Sequence, residues 1–156
     1  MTIFAPSATE RAIAAYAAQL INASDRLFLP QGSIAAAIRE CLDWELPAAD
    51  EPYSVAVLNG DRVDLQGNCL LKCGETVPQA RIVIAVLPAH SGIGACMRSN
   101  IRADLSAGGE TLCPDYVVTQ FGIARIKGRA PAERLQNLLA VAHPDLRERL
   151  LPPSGF

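Results

Sequence analysis

The segment Arg81-Ile82-Val83-Ile84-Ala85-Val86-Leu87 places six apolar residues in succession, most of them β-branched, and stops at Pro88. A strand with one face in water alternates apolar and polar side chains, whereas an unbroken run of this length fits a strand covered on both faces. Covering both faces takes helices on either side, so this segment favours an α/β architecture over a sandwich or a bundle. The other segments agree. Ser7 and Glu10 form an S-x-x-E capping box, and Ile13, Tyr16, Ala17, Leu20 and Ile21 follow at helical spacing, which predicts a helix over 8–22. Asp25 to Pro30 is a short apolar run closed by proline. Gly32 and a capping Ser33 then open a second helical face at Ile34, Ala37, Ile38, Cys41 and Leu42.

Residues 43–52 carry two prolines and four acids without an apolar period and read as a connection. Val55 to Leu58 reads as a strand, Asn59-Gly60 as a turn, and Arg62 to Leu65 as a short second strand that turns at Gly67-Asn68. Gly108-Gly109 marks another turn. Tyr116 to Thr119 is a second strong strand running into Gln120-Phe121-Gly122. Pro131 suits the first turn of a helix with Leu135, Leu138, Leu139 and Ala142 on one face, His143-Pro144 interrupts it, and Asp145 to Leu151 predicts a final short helix.

Composition narrows the functions. The chain has 156 residues, half of them hydrophobic, and its 14 basic and 16 acidic side chains leave a formal charge of −2. One ordinary core suffices at this length, and near-neutral charge offers no electrostatic footprint for nucleic acid or an anionic membrane. No apolar run approaches the ~20 residues that span a bilayer, and Glu10 and Arg11 fall where a signal peptide needs its apolar stretch, so the reading is a single, soluble, cytoplasmic domain. Of the five cysteines only Cys69 and Cys73 are close, and His90 and His143 are remote from them in sequence. That spacing favours free thiols over a zinc site, and no metal is expected.

Several residues are candidates for chemistry. The small, glycine-containing stretch 88–96 follows the strongest strand, where open α/β sheets usually bind ligands. Gly92-Ile93-Gly94 lacks dinucleotide-fingerprint spacing and reads first as a turn, with a phosphate contact as the alternative. Residues 121–156 carry +3 and residues 1–120 carry −5. That split could serve a nucleotide phosphate near Arg125, Lys127 and Arg129, and a solvated face explains it equally well. His143 before Pro144 reads as a helix-end histidine with a structural hydrogen bond.

The segments Asp115-Tyr-Val-Val-Thr-Gln-Phe-Gly-Ile-Ala, Lys127-Gly, Pro131-Ala-Glu-Arg and Leu139-Ala-Val-Ala-His-Pro-Asp-Leu-Arg-Glu-Arg-Leu150 resemble the C-terminal domain of the acetyl-CoA hydrolase/transferase family, which includes 4-hydroxybutyrate CoA-transferases. Asn59 with Asp64-Leu65-Gln66-Gly67, and the unit over 7–42, resemble earlier parts of that domain more loosely. The resemblance implies an open, mostly parallel α/β sheet flanked by helices, the CoA-transferase half-domain, with coenzyme A or acyl-CoA as substrate. It implies a glutamate nucleophile that passes through an acyl-glutamyl anhydride to a glutamyl-CoA thioester. The family's glutamate stretch would fall between Leu42 and Tyr53, where Glu45 and Glu51 are the only glutamates and so the only candidates. Gly32, Gly74, Gly92, Gly94, Gln120, Gly122 and Lys127 are the candidate CoA contacts, with Gln120 standing where the family motif has a carboxylate. Since the family works with two half-domains, the expectation is one half of a transferase completed by a partner subunit or by a homodimer. The alternative is a catalytically silent CoA-binding or assembly module that kept the fold.

Overall fold

The computed structural model describes residues 5–46, 49–105 and 111–150. In chain order its elements are α1 (Ala8–Ala18), β1 (Leu27–Phe28), α2 (Ser33–Cys41), β2 (Tyr53–Asp64), β3 (Cys69–Leu71), β4 (Ala80–Val86), β5 (His90–Ser91), β6 (Arg98–Ser99), β7 (Ile101–Arg102), β8 (Thr111–Leu112), β9 (Tyr116–Thr119), β10 (Gly122–Arg125) and α3 (Pro131–Val141). Short 3₁₀ turns cover Gly94–Cys96 and Arg147–Leu150. Among the described residues no helix is long and apolar enough to cross a membrane.

The main sheet is mixed and mostly parallel. β1, β2, β4 and β9 run parallel as neighbours, β10 closes one edge antiparallel to β9, and on the other side β3 lies antiparallel to β2 and β8 antiparallel to β3. Side chains of β4 divide between two cores. Ile84 and Val86 join Ile13, Ala17, Ile34 and Ile38 beneath α1 and α2, while Ala85 and Leu87 join Leu138, Val141 and Ile126 beneath α3. β9 divides likewise, Val118 to one side and Val117 to the other. Helices on both faces are the physical reason these strands show no polar alternation.

The capping box forms as the sequence predicts: the Glu10 N–H donates to Ser7 Oγ at 3.1 Å and the Ser7 N–H to Glu10 Oε1 at 2.9 Å. α1 ends at Ala18 rather than 22, yet Ile21 remains buried against the same core. Pro131 does sit in the first turn of α3, and the last predicted helix is a single 3₁₀ turn.

One turn expectation needs correction. Asn59-Gly60 is not a turn. β2 runs straight through it because its first half pairs with β1 and β4 and its second half with β3 and β7, so every part of the strand has a neighbour. Gly60 instead marks a register shift against β3, where the Cys69 Sγ would stand 3.3 Å from a Cβ. Gln120-Phe121 follows the end of β9. It is the two-residue turn of the β9–β10 hairpin, across which Thr119 pairs with Gly122. The Gly108-Gly109 turn lies outside the described residues.

Candidate functional site

β1 is only two residues long, and its brevity makes the main crevice. Where β1 stops at Phe28, the edge of β2 is left open at Asn59, and the loop after β3 folds over it. The Lys72 N–H donates to the Asn59 carbonyl at 3.1 Å, and the Asn59 N–H donates to Glu75 Oε1 at 2.8 Å. The Asn59 amide reaches the other wall, donating to the Gln31 carbonyl at 2.9 Å. Between these walls lies a cavity of about 630 Å³, bordered by Leu29, Gln31, Asn59, Lys72, Gly74 and Glu75 among others. This is the carboxyl end of a parallel strand, where ligands of open α/β sheets bind.

The start of α2 adjoins this crevice. Gly32 has φ +130° and its α-carbon faces the Asn59 amide, a Cβ there standing 3.7 Å from Nδ2. No side chain caps the first turn of α2: its N-cap residue is Gly32 and not the expected Ser33, which opens the helix and whose hydroxyl donates to the Glu10 carboxylate. Burial raises the Glu10 carboxyl, but the hydrogen bonds from Ser33 and Ser7, aided by the Lys72 charge, prevail and hold it below the ordinary glutamate value. Lys72 therefore stands within electrostatic reach of the α2 start as well as on the crevice wall.

The structure places Gly74 in the lining of this crevice and Gly32 beside it, against the Asn59 amide, and it adds a carboxylate that sequence spacing did not single out. Glu75 lines the cavity with one oxygen fixed by a backbone N–H. Glu45 and Glu51 lie elsewhere. Glu45 is exposed in the connection after α2, and Glu51 is exposed just before β2, at the amino end of the parallel strands, where its Oε1 accepts the Gln79 N–H at 3.1 Å. Lys127 is exposed beyond the end of β10, at the far end of the hairpin from Gln120 and Gly122, and Arg125 and Arg129 are exposed beside it.

A second cluster forms where β4 and β9 end. Gln120 Oε1 accepts the Ala89 N–H at 2.8 Å, and its amide nitrogen lies 3.5 Å from His90 Nδ1. Asn100 straps the same segment, donating to the Pro88 carbonyl at 2.9 Å and accepting from the Ser91 hydroxyl at 3.0 Å. His90 and His143, far apart in sequence, touch edge-on with centroids 4.6 Å apart, and Phe121 packs on His143 at 5.3 Å. His143 Nδ1 accepts the Asp145 N–H at 3.1 Å, the structural bond its place before Pro144 suggests. Burial first, and the His143 charge second, lower the His90 pKa. No long-range signal in one sequence announces such a pair.

Gly92 and Gly94 belong to the loop between β5 and β6. Gly92 has φ +80°, and a Cβ there would lie 2.3 Å from the Cys96 carbonyl oxygen, so its role is to close this loop. Gly94 borders a separate depression with Met97 and Leu146. Cys69 is buried on β3 while Cys73 is exposed in the crevice wall, and all five cysteines are free. Among the described residues no three His, Cys, Asp or Glu side chains gather in a way that could hold a metal ion.

The fold agrees with comparisons to known proteins. The chain is similar to a 4-hydroxybutyrate coenzyme A transferase of Clostridium kluyveri, 34% identical over 95 residues that make up 59% of this chain and 20% of that protein. It is also similar to a succinyl-CoA:cyclohexane-1-carboxylate CoA transferase of Geobacter metallireducens, 50% identical over 36 residues, or 23% of this chain and 8% of that protein. The crystal structure of 4-hydroxybutyrate CoA-transferase from Porphyromonas gingivalis superimposes with a TM-score of 0.72 at 20% identity, covering 96% of this chain and 56% of that one, a likeness of fold. The chain thus matches only part of these relatives: about half of the solved structure, and a fifth or less of the two other proteins. The model of the acetyl-CoA hydrolase/transferase C-terminal domain matches residues 71–153, more than half of the chain, and the chain belongs to that family.

Proposed function

We propose that the chain is one half of an acyl-CoA transferase or hydrolase, completed by a second half-domain on a partner subunit or a second copy, and that its crevice at the end of β1 takes the acyl-CoA thioester. The observation that carries this reading is the convergence of Lys72, Glu75 and Asn59 on one cavity, with Gly32 at the start of α2 facing the Asn59 amide. A CoA-transferase needs a carboxylate nucleophile beside donors that can hold an oxyanion. Glu75 is the carboxylate lining this cavity, and the Asn59 N–H orients it, so Glu75 is a better candidate nucleophile than Glu45 or Glu51. Its carboxylate would attack the thioester carbonyl and expel CoA thiolate, leaving a glutamyl anhydride. The thiolate would then attack the glutamyl carbonyl, release the acyl carboxylate and leave a glutamyl-CoA thioester. Lys72 and the first N–H groups of α2 supply positive potential for the developing negative charge. Of the other candidate contacts, Gly32 and Gly74 fit this crevice. Gln120 and Gly122, with Gly92, Gly94 and Lys127, would meet CoA only outside it.

The test is mass spectrometry of the chain after incubation with acetyl-CoA, alone and in the complex in which it co-purifies. A covalent CoA adduct mapped to Glu75 and lost in Glu75→Gln supports the proposal. A second reading, a catalytically silent CoA-binding module, is favoured by Gln120, whose amide occupies the place of a family carboxylate and is spent on the Ala89 N–H. Non-covalent acetyl-CoA binding without any adduct or turnover in the complex would select that reading.

A further inference from the structure

Away from the β1 crevice, the chain segment 97–103 and the last 3₁₀ turn enclose two adjoining depressions of about 290 and 350 Å³ that share Met97, Leu146 and Arg149. Their floor is apolar: Ile101, Leu146 and Leu150 are buried and Met97 is half-buried. Their rim is basic. Arg98, Arg102 and Arg149 all line the first depression, and among the described residues none of them has a carboxylate at ion-pair distance. Among the described residues Asp145 is the one acid on the border, in the second depression, and it forms no ion pair with Arg149. Arg102 is also held in place, its Nε donating to the Ser99 carbonyl at 3.1 Å.

Three guanidinium groups around one apolar floor repel one another and gain by sharing an anion, which each can grip through two parallel N–H donors. An apolar floor with a few convergent polar groups is the usual make-up of a small-molecule site, and together the depressions have the size of one. We infer that this groove binds a small amphipathic anion, a carboxylate or phosphate head carried on an apolar chain or ring, with the head on Arg98, Arg102 and Arg149 and the body over Ile101, Leu146 and Met97. The site is independent of acyl transfer at the β1 crevice and needs no residue from it.

Isothermal titration with decanoate and with adenosine 3′,5′-bisphosphate tests it, with decanol and adenosine as uncharged controls. The expected result is one-site binding of at least one of the two anions, weakened at least ten-fold in the double variant Arg98→Ala/Arg149→Ala and by raised salt, with neither control binding comparably. Decanoate binding would identify an acyl chain as the body, and bisphosphate binding a nucleoside. The double variant changes two exposed side chains and leaves the Arg102–Ser99 bond intact, and an unchanged thermal unfolding midpoint verifies its fold. Saturable binding of neither anion at millimolar concentration, or equal affinity in the wild type and the double variant, would overturn the inference.

Discussion

His90 and His143 meet with their ring planes at 80° and their centroids 4.6 Å apart, which joins β5 to the segment just after α3. Burial first, and electrostatic repulsion from His143 second, favour neutral His90, so its folded-state pKa lies below the ordinary histidine value. Between those two values the unfolded chain binds more protons than the folded one, so stability falls as pH drops below about 6.5. Glu10 adds a second, more acidic step: its lowered pKa stabilises the fold above the ordinary glutamate range and that contribution is lost as pH falls through the folded value. Urea unfolding at a series of pH values should show both steps, with His90→Gln removing the first and Glu10→Gln the second.

Gly67 has φ +93°, and a Cβ on it would stand 2.2 Å from Ile126 Cγ2, whereas Gly74 has φ +88° with open space around it. Gly74→Ala should therefore meet only the left-handed backbone penalty of about 1–2 kcal/mol. Gly67→Ala should cost more, because buried Ile126 must also move within a close-packed core. Denaturant midpoints of the two variants would rank them; a Gly67→Ala variant as stable as Gly74→Ala would refute the packing argument.

Thr119 is fully buried at the end of β9, where its hydroxyl donates to the Val141 carbonyl at 2.6 Å and accepts the Phe121 N–H at 3.1 Å. It thereby ties the hairpin turn to the end of α3. Thr119→Val keeps the shape but strands both backbone groups, at a cost of about 1–3 kcal/mol for each group that stays dry. Hydrogen exchange at Phe121 should accelerate in the variant.

Burial, followed by the charges of Asp61 and Asp64, pushes the Cys69 thiol up to about 12, while Cys41, Cys73 and Cys96 are exposed. The thiolate is the reactive form, so iodoacetamide at neutral pH should label the three exposed cysteines well before Cys69. Peptide mapping over a time course reads the order directly, and early labelling of Cys69 would contradict its placement.

Much of the architecture is written in local patterns. The unbroken 81–87 run implies a strand with both faces covered, and the Ser7–Glu10 box and Pro131 mark helix starts, because caps and periodicity act over a few residues. Asn59-Gly60 misleads for the same reason. A dipeptide preference for turns is worth little against a strand with neighbours along both edges, and those neighbours come from residues 27–28, 69–71, 80–86 and 101–102.

The candidate crevice was legible only in part. Gly32 stands out as the glycine before a predicted helix and Gly74 only through the family resemblance, but Glu75 becomes a crevice residue only because β1 ends early and the loop after β3 hydrogen-bonds to the exposed edge at Asn59. The His90–His143 contact and the arginine-rimmed groove are likewise made by segments some fifty residues apart in the chain. The sequence by itself determined which segments become strands and helices and which family the carboxyl-terminal half resembles, since those depend on short-range sterics and on local motif order. Tertiary structure alone decided which carboxylate faces the cavity and which cations share a rim, because burial and sheet pairing bring together side chains that the order of residues keeps apart.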